Sequence, residues 1–157
     1  MPDAADKGPA PNATSPRHTE ILNGYQAGDS RFAKWAREGL GDIRIASWSW
    51  GRVSFRWELD DRFIMPDGVM FGGHVAAVAD HVLGLVSMTV LADSADRFRT
   101  SRLETQFFRP VMKPRIAIEA RVVNASKTLI HVEADYLNAE GKLAVRVAAT
   151  QVLRKAG

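Results

Sequence analysis

The sequence predicts an α+β fold in which one antiparallel β-sheet wraps around a single long helix. Two observations support this fold class. Six segments alternate apolar and polar residues with the period of a β-strand that has one buried face. Residues 72–91 instead form one long apolar segment with only a narrow polar stripe, which is typical of a helix that is buried on most sides. The helix is therefore the natural cover for the apolar face of the sheet.

The N-terminal part of the chain divides into two regions. Residues 1–16 are rich in Ala, Pro, Asn, Asp and Ser, and they lack the bulky apolar side chains that would offset the entropy cost of ordering. We expect them to form a disordered leader, and residues 17–157 to form a single domain. Within residues 19–40, apolar side chains recur at helical spacing and are interrupted at Gly28 and Asp29, which predicts two short helices.

The strand segments lie on both sides of the long helix. They occupy residues 43–50, 53–59, 100–109, 115–123, 129–137 and 142–153. The alternation is clearest in residues 129–137, where apolar side chains face one way and polar ones, including His131, face the other. We expect the last four strands to form a meander, because residues 124–126 and 138–141 are short segments typical of tight turns between antiparallel neighbours.

The composition excludes several classes of protein. The chain has no cysteine, so disulfides, thiolate nucleophiles and cysteine-based zinc sites are all impossible. The net charge of +3 is small and its basic residues are scattered, so no nucleic-acid partner is expected. The longest apolar run, residues 75–91, is interrupted by polar side chains, so no membrane partner is expected either. The N-terminus lacks the pattern of a secretion signal, and we expect a cytoplasmic protein.

A glycine-rich segment leads into the long helix and carries a resemblance to a known family. Residues 68–80 read GVMFGGHVAAVAD. This segment resembles the signature of hotdog-fold acyl-CoA thioesterases of the phenylacetate-degradation (PaaI-like) type, which is Asn-x-x-Gly-x-x-His-Gly-Gly followed by an acidic residue. The positions that match its spacing are Gly68, Gly72, Gly73 and Asp80. Residues 107–110 resemble the family's strand ending in Arg-Pro, and the resemblance covers about residues 40–153.

Two positions depart from the family pattern. Met65 stands where the family usually has Asn or Gln, and Phe71 stands where it usually has His. In the family, the amide helps to position the attacking water or the thioester, and the His supports the loop before the helix. A non-catalytic acyl-CoA-binding protein with the same hotdog fold is therefore an alternative to an enzyme.

Elementary chemistry assigns roles to the glycines and the acid. A glycine at a helix N-terminus allows a substrate to approach the backbone, where free N–H groups stabilise an oxyanion. We expect Gly72 or Gly73 to polarise a thioester carbonyl, and Asp80 to act as general base or nucleophile. Asp80 lies on an otherwise apolar helix, where a buried carboxylate is costly unless it has a purpose. The alternatives without a catalytic role are that Asp80 is a structural acid and that the glycines only permit a tight turn.

The spacing of these residues predicts a homo-oligomer. Gly72 and Asp80 are eight residues apart, or about 12 Å along a helix axis, which is too far for both to reach one carbonyl. If two subunits place their helices antiparallel, Gly72 of one approaches the acid of the other, and two equivalent sites arise by symmetry. We therefore expect a homodimer, or a tetramer built from two dimers, with active sites shared between subunits.

Further residues are candidates for substrate binding. They are Met65, Gly68, Met70, Phe71, Gly84, Ser87, Phe107, Arg109 and Lys127. The apolar ones favour a medium-chain or aryl acyl group, and Arg109, Lys127 and Arg99 could contact the phosphates of coenzyme A. Coenzyme A enters as part of the substrate, and no other cofactor is expected. No metal is expected, because His74 and His81 lie about 10 Å apart along the helix.

A hydratase or dehydratase on the same fold is the least favoured alternative. Such an enzyme needs a His and a carboxylate in one site, and only Asp80 and His81 offer this pair. Neighbouring residues of a helix diverge by about 100°, so we do not expect these two side chains to face one substrate.

Overall fold

The computed structural model describes residues 12–154. In chain order, its helices and strands are α1 (Pro16–Ala27), α2 (Arg31–Gly39), β1 (Asp42–Ser49), β2 (Arg52–Glu58), α3 (Gly72–Met88), β3 (Arg97–Phe107), β4 (Arg115–Ala125), β5 (Leu129–Leu137) and β6 (Leu143–Arg154). A short 3-10 helix, Asp61–Phe63, lies between β2 and α3. The predicted α+β class is confirmed.

The strands form one antiparallel sheet in the order β1-β2-β4-β5-β6-β3. The predicted meander is correct for β4, β5 and β6 but wrong for β3, which pairs with β6 at the edge of the sheet from Arg97↔Arg154 to Phe107↔Val145. Beside β4 lies β2 instead. Alternation of apolar residues specifies which face of a strand is buried, but it does not specify the neighbouring strand. The edge position of β3 matters for the site described below.

Helix α3 packs across the inner face of the sheet and contacts β2, β3, β4, β5 and β6. Its inward side chains, such as Val75, Val78 and Val82, are fully buried. In β5, residues Ile130 and Tyr136 mark the buried face, and the predicted alternation along this strand is confirmed. The core therefore lies between one helix and one sheet, as expected for a chain that has a single strongly apolar helix.

Helices α1 and α2 lie against the start of the sheet and beside α3. The predicted pair of helices is confirmed, and Gly28 ends α1 with a φ of +80°, a left-handed conformation that favours glycine. Ser15 caps α1, because its Oγ accepts a hydrogen bond from the His18 N–H at 3.2 Å. The backbone N–H of Ser15 donates to Leu91 O at 2.7 Å, and Thr14 Oγ1 donates to Thr89 O at 2.6 Å.

Residues 14–16 are thus part of the folded structure, and the predicted leader boundary at residue 16 is wrong. The composition of a segment does not reveal a cap or a long-range backbone bond. Residues 1–11 of the predicted leader lie outside the described residues. Within residues 12–154, no helix is both long and apolar enough to cross a membrane.

Candidate functional site

The N-terminus of α3 carries free backbone donors. The loop before it is held by hydrogen bonds from the Met65 N–H to Val69 O and from the Phe71 N–H to Phe63 O. The first helical N–H with a backbone acceptor is that of His74, which donates to Phe71 O at 3.0 Å. Among the described residues, the N–H groups of Gly72 and Gly73 have no backbone acceptor. They can therefore stabilise developing negative charge, as expected at a helix N-terminus.

Aromatic rings lie close to both glycines. A Cβ on Gly73 would lie 2.7 Å from the Phe71 ring, and a Cβ on Gly72 would lie 3.5 Å from the Phe107 ring. Both rings are about half exposed. The structure thus places the rings of Phe71 and Phe107 beside the glycines, and the absence of a side chain at Gly73 makes room for the Phe71 ring.

Asp80 lies two turns further along α3, and its side chain is exposed. The expectation of a buried carboxylate is wrong for the single chain, because α3 has one uncovered face that also carries Gly73 and Ala77. Thr100 on β3 donates its hydroxyl proton to Asp80 Oδ1 at 2.8 Å. This bond fixes one carboxylate oxygen and leaves the other for a second partner.

The Thr100 hydroxyl also lies 2.9 Å from the amide oxygen of Gln151, which is fully buried. A hydroxyl has one proton, so it can donate to only one of these two oxygens. The Gln151 Nε2 group has no acceptor among the described residues. Rotating the amide by a half turn places Nε2 opposite Thr100 Oγ1, which gives this nitrogen an acceptor and directs the hydroxyl proton to Asp80.

A cavity of about 540 Å³ opens beside Asp80, between α1, α2, α3 and the start of β3. Helix α3 contributes Asp80, His81 and Gly84 to its wall. The other lining residues include aromatic (Phe32, Trp35, Phe98), aliphatic (Ile21, Leu40, Leu85, Met88), basic (Arg17, Arg97, Arg99) and acidic (Asp96) side chains. Among the basic candidates, Arg99 is thus in the cavity. No spacing in the sequence points to Phe32, Trp35 or Phe98, because only the packing of distant elements brings them to α3.

His81 forms the aromatic end of this cavity. Its Nε2 lies 2.9 Å from the Tyr25 hydroxyl, which donates its own proton to Ile43 O at 3.0 Å, so His81 Nε2 carries a proton and donates it to Tyr25. The rings of Trp35 and Phe32 lie 5.7 and 5.9 Å from the imidazole. Burial lowers the pKa of His81 to about 4, so the imidazole is neutral at pH 7.

Asp80 and His81 both line this cavity. Their side chains diverge around the helix, but the cavity is wide enough to extend over both positions. His74 has a structural role: its ring stacks on Phe63 at 3.5 Å, and its Nε2 donates to Leu40 O at 2.7 Å. Within the part of the chain that the structure describes, no three His, Asp or Glu residues are placed to hold a metal ion.

Two predicted substrate-binding residues are buried in the structure instead. Met70 is 2% exposed and its N–H donates to Val111 O, whereas Ser87 is fully buried and its hydroxyl donates to Leu83 O within α3. Neither side chain reaches the cavity. The helical period places Ser87 on the core side of α3, and the loop turns Met70 inward.

The other candidates are divided between the cavity and the surface. Gly84 lines the cavity, where a Cβ would lie 3.8 Å from the Phe98 ring. Met65 is partly exposed, and Gly68 adopts a φ of +88° in the same loop. Arg109 donates from Nη1 to Leu143 O, and Lys127 is exposed on the turn between β4 and β5, so neither contacts the cavity.

Comparisons with known proteins agree with this fold. Residues 67–145 match the family model of the Thioesterase superfamily. A relative from Saccharolobus solfataricus whose name assigns it to the esterases is 30% identical over 105 residues, which cover 67% of this chain and 74% of the relative.

Two solved structures of other proteins have the same fold. A thioesterase related to phenylacetic acid degradation from Ralstonia eutropha has a TM-score of 0.73 and 23% identity, over 87% of this chain and 98% of that one. A thioesterase protein from Streptococcus pneumoniae, solved with coenzyme A, has a TM-score of 0.71 and 17% identity, over 78% and 94% of the two chains.

Proposed function

The chain belongs to the thioesterase superfamily, and we propose that it hydrolyses an acyl-CoA thioester at a site formed by Gly72, Gly73 and Asp80. Membership confirms the family resemblance and the expectation of a thioester hydrolase. The main observation that supports the proposed site is the position of Asp80. Its carboxylate is exposed at an apolar cavity and is oriented by the Thr100 hydroxyl, whereas a purely structural acid would be expected to pair with a cation or a helix end.

In the proposed reaction, the acyl carbonyl oxygen accepts a hydrogen bond from the Gly72 or Gly73 N–H. Asp80 either removes a proton from an attacking water or attacks the carbonyl carbon itself. On the general-base route, the water oxygen bonds to the carbonyl carbon, the C–S bond breaks, and the proton that Asp80 took from the water passes to the thiolate, so that coenzyme A leaves as the thiol beside the free acid. On the nucleophilic route, the C–S bond breaks as the acyl group is transferred to Asp80, and a water then hydrolyses the acyl–Asp80 anhydride, which gives a proton to the thiolate and releases the free acid. The hydrogen bond from Thr100 to Oδ1 supports this role because it leaves Oδ2 available to the water or the carbonyl.

The proposed assembly is a homodimer, or a tetramer of two dimers, with sites shared between subunits. Gly72 and Asp80 are eight residues apart on one straight helix, about 12 Å along its axis, so one copy does not place both groups at one carbonyl. Two features support the assembly. Strand β3 is an edge strand with one neighbour among the described strands, and the uncovered face of α3 carries small side chains at Gly73 and Ala77. A symmetric partner could cover both features.

The proposed substrate is a medium-chain or aryl ester of coenzyme A. The cavity volume of about 540 Å³ lies in the usual range of small-molecule sites, and its wall is mainly apolar. Guanidinium groups of Arg17, Arg97 and Arg99 donate to backbone carbonyls at its rim, and such groups also suit phosphate oxygens. The coenzyme A in the S. pneumoniae structure supports a coenzyme A ester as the substrate, whatever its acyl group.

A screen of acyl-CoA esters with detection of the released thiol tests the function. We expect the wild-type protein to release coenzyme A, and Asp80→Asn to lower kcat by about 100-fold or more, because the amide has nearly the same shape but cannot act as a base. An unchanged melting temperature would show that the variant is folded. If the wild-type chain binds the esters without turnover, the proposal fails and the non-catalytic alternative holds. If Asp80→Asn keeps the wild-type rate, the assignment of Asp80 fails.

A further inference from the structure

Helix α2 contributes two aromatic rings to the cavity from outside the segment that matches the family model, residues 67–145. Phe32 and Trp35 lie on successive turns of α2, with ring centroids 5.9 Å apart. They are 42% and 55% exposed, although aromatic side chains of this size normally bury most of their surface. Both rings line the cavity beside Asp80, and both also line a second cavity of about 740 Å³ between α1 and α2, so their exposed apolar surface is shared between the two.

The remaining walls of this part of the cavity are also apolar or uncharged. His81 stacks with Phe32 at an interplanar angle of 20°, and its imidazole is neutral because burial lowers its pKa to about 4. Phe98 lies on the β3 side, where Gly84 leaves room in front of its ring. A ligand group that enters here meets these four rings as well as aliphatic side chains such as Ile21 and Leu40, and the rings are the part of the wall that favours a flat aromatic group.

The position of these rings relative to Asp80 indicates which part of the substrate they contact. His81 follows Asp80 directly on α3, and Phe32 and Trp35 both touch the His81 ring. A group bound against them is therefore close to the reacting carbonyl. The acyl group is bonded directly to that carbonyl, whereas the adenine of coenzyme A is separated from it by the long pantetheine arm.

We propose that Phe32 and Trp35 form the acyl-binding wall of the site and select aryl thioesters over linear ones of similar size. This inference rests on the proposed function, because it takes Asp80 as the position of the reacting carbonyl. In this proposal, α2 determines the preference for the acyl group and α3 carries the residues of the reaction.

The test compares Phe32→Leu and Trp35→Leu with the wild-type chain. Leucine keeps an apolar side chain but removes the ring face. The substrates are benzoyl-CoA, hexanoyl-CoA and the benzoyl ester of N-acetylcysteamine, which lacks the nucleotide. Trp50→Leu is the matched control, because Trp50 is 42% exposed on the β1–β2 turn and does not line the cavity.

We expect Phe32→Leu and Trp35→Leu each to lower kcat/KM for both benzoyl esters by about 10-fold. The value of kcat/KM for hexanoyl-CoA should change by less than about 3-fold. Trp50→Leu should leave all three values unchanged. If the variants instead weaken both coenzyme A esters equally and spare the N-acetylcysteamine ester, the rings bind the nucleotide and the inference is overturned. Equal losses on all three esters, or none, also overturn it.

Binding measurements separate this inference from the proposed function. Calorimetry of benzoyl-CoA and hexanoyl-CoA with the Asp80→Asn chain, with and without Trp35→Leu, reports ring selectivity without turnover. A preference for benzoyl-CoA that Trp35→Leu abolishes supports the aryl-binding wall even if the wild-type chain hydrolyses no ester. Equal affinity for the two esters in the Asp80→Asn chain overturns it even if hydrolysis is observed.

Discussion

Thr100 Oγ1 lies 2.8 Å from Asp80 Oδ1, and this hydrogen bond connects the edge strand β3 to the carboxylate on α3. Gln151 on β6 lies on the other side of the Thr100 hydroxyl, at 2.9 Å. The three side chains come from three different elements, so the sheet itself sets the orientation of the carboxylate. Thr100 is therefore a positioning residue, which acts on the substrate through Asp80.

Replacing Thr100 by Val should lower kcat by about 10-fold and leave KM unchanged, because Val has nearly the same shape but donates no hydrogen bond to the carboxylate. Thr100→Ser keeps the hydroxyl and should restore most of the rate. Steady-state kinetics of both variants on one acyl-CoA ester measures this difference. Equal rates for the Val and Ser variants would show that the hydroxyl has no positioning role.

Acidification should destabilise the protein partly through His81. Its pKa is about 4 in the folded chain, below its usual value of 6.5, so between these values the unfolded chain binds a proton that the folded chain does not. The contribution of His81 to the free energy of unfolding should thus fall by about 2 kcal/mol from pH 8 to pH 5. Burial also lowers the pKa of His18 and His74, which adds to the effect in the same direction.

Urea unfolding of the wild type and of His81→Phe at the two pH values measures how much of the pH dependence of stability comes from His81. The variant can differ in stability at pH 8, because Tyr25 loses a hydrogen-bond partner. Between pH 8 and pH 5, however, the free energy of unfolding of the variant should fall by about 2 kcal/mol less than that of the wild type. An identical pH dependence for the two proteins would contradict a buried neutral imidazole at His81.

The N-terminus of α1 should matter for stability. Removing residues 1–16 deletes the Ser15 cap and the hydrogen bonds from residues 14 and 15 to the end of α3, so we expect a lower melting temperature. Ser15→Ala should cost about 1 kcal/mol through loss of the cap alone. Removal of residues 1–11 is the control and should have little effect on the melting temperature. The account of this segment fails if the two truncations melt at the same temperature.

The sequence predicts where the helices and strands of this fold lie better than it predicts which strands pair in the sheet. Periods of two and 3.6 identify strands and helices, because they depend on local burial, and the strand at residues 129–137 is correct to the residue. The pairing of β3 with β6 depends on where the chain enters the sheet after α3, which no local pattern specifies. The same limit applies to the end of the predicted leader, because Thr14 and Ser15 are held by hydrogen bonds to residues 89 and 91, far along the chain.

Some residues of the candidate site can likewise be predicted from the sequence, and others cannot. Gly72, Gly73 and Asp80 are recognisable from their spacing, since they share one segment. Phe32, Trp35 and Thr100 join the site only through packing between distant parts of the chain, so no spacing reveals them. The exposure of Asp80 was not predictable either, because the apolar composition of α3 does not show which side of the helix the sheet leaves uncovered.

A mixed dimer tests whether each active site is shared between two subunits. One chain carries Asp80→Asn and the other carries Gly72→Leu, which puts a bulky side chain at the proposed oxyanion donor. The backbone of Gly72 tolerates a side chain, because its φ is not positive and a Cβ would make only ordinary contact with the Phe107 ring. Each parent homodimer should be inactive on an acyl-CoA ester that the wild type hydrolyses.

If sites form between subunits, each heterodimer has one site with both defects and one with neither, so mixing should restore about half of the wild-type activity per heterodimer. Native mass spectrometry measures the fraction of heterodimers in the mixture. Continued inactivity with heterodimers present would show that each chain carries a whole site, and would contradict the shared arrangement of Gly72 and Asp80.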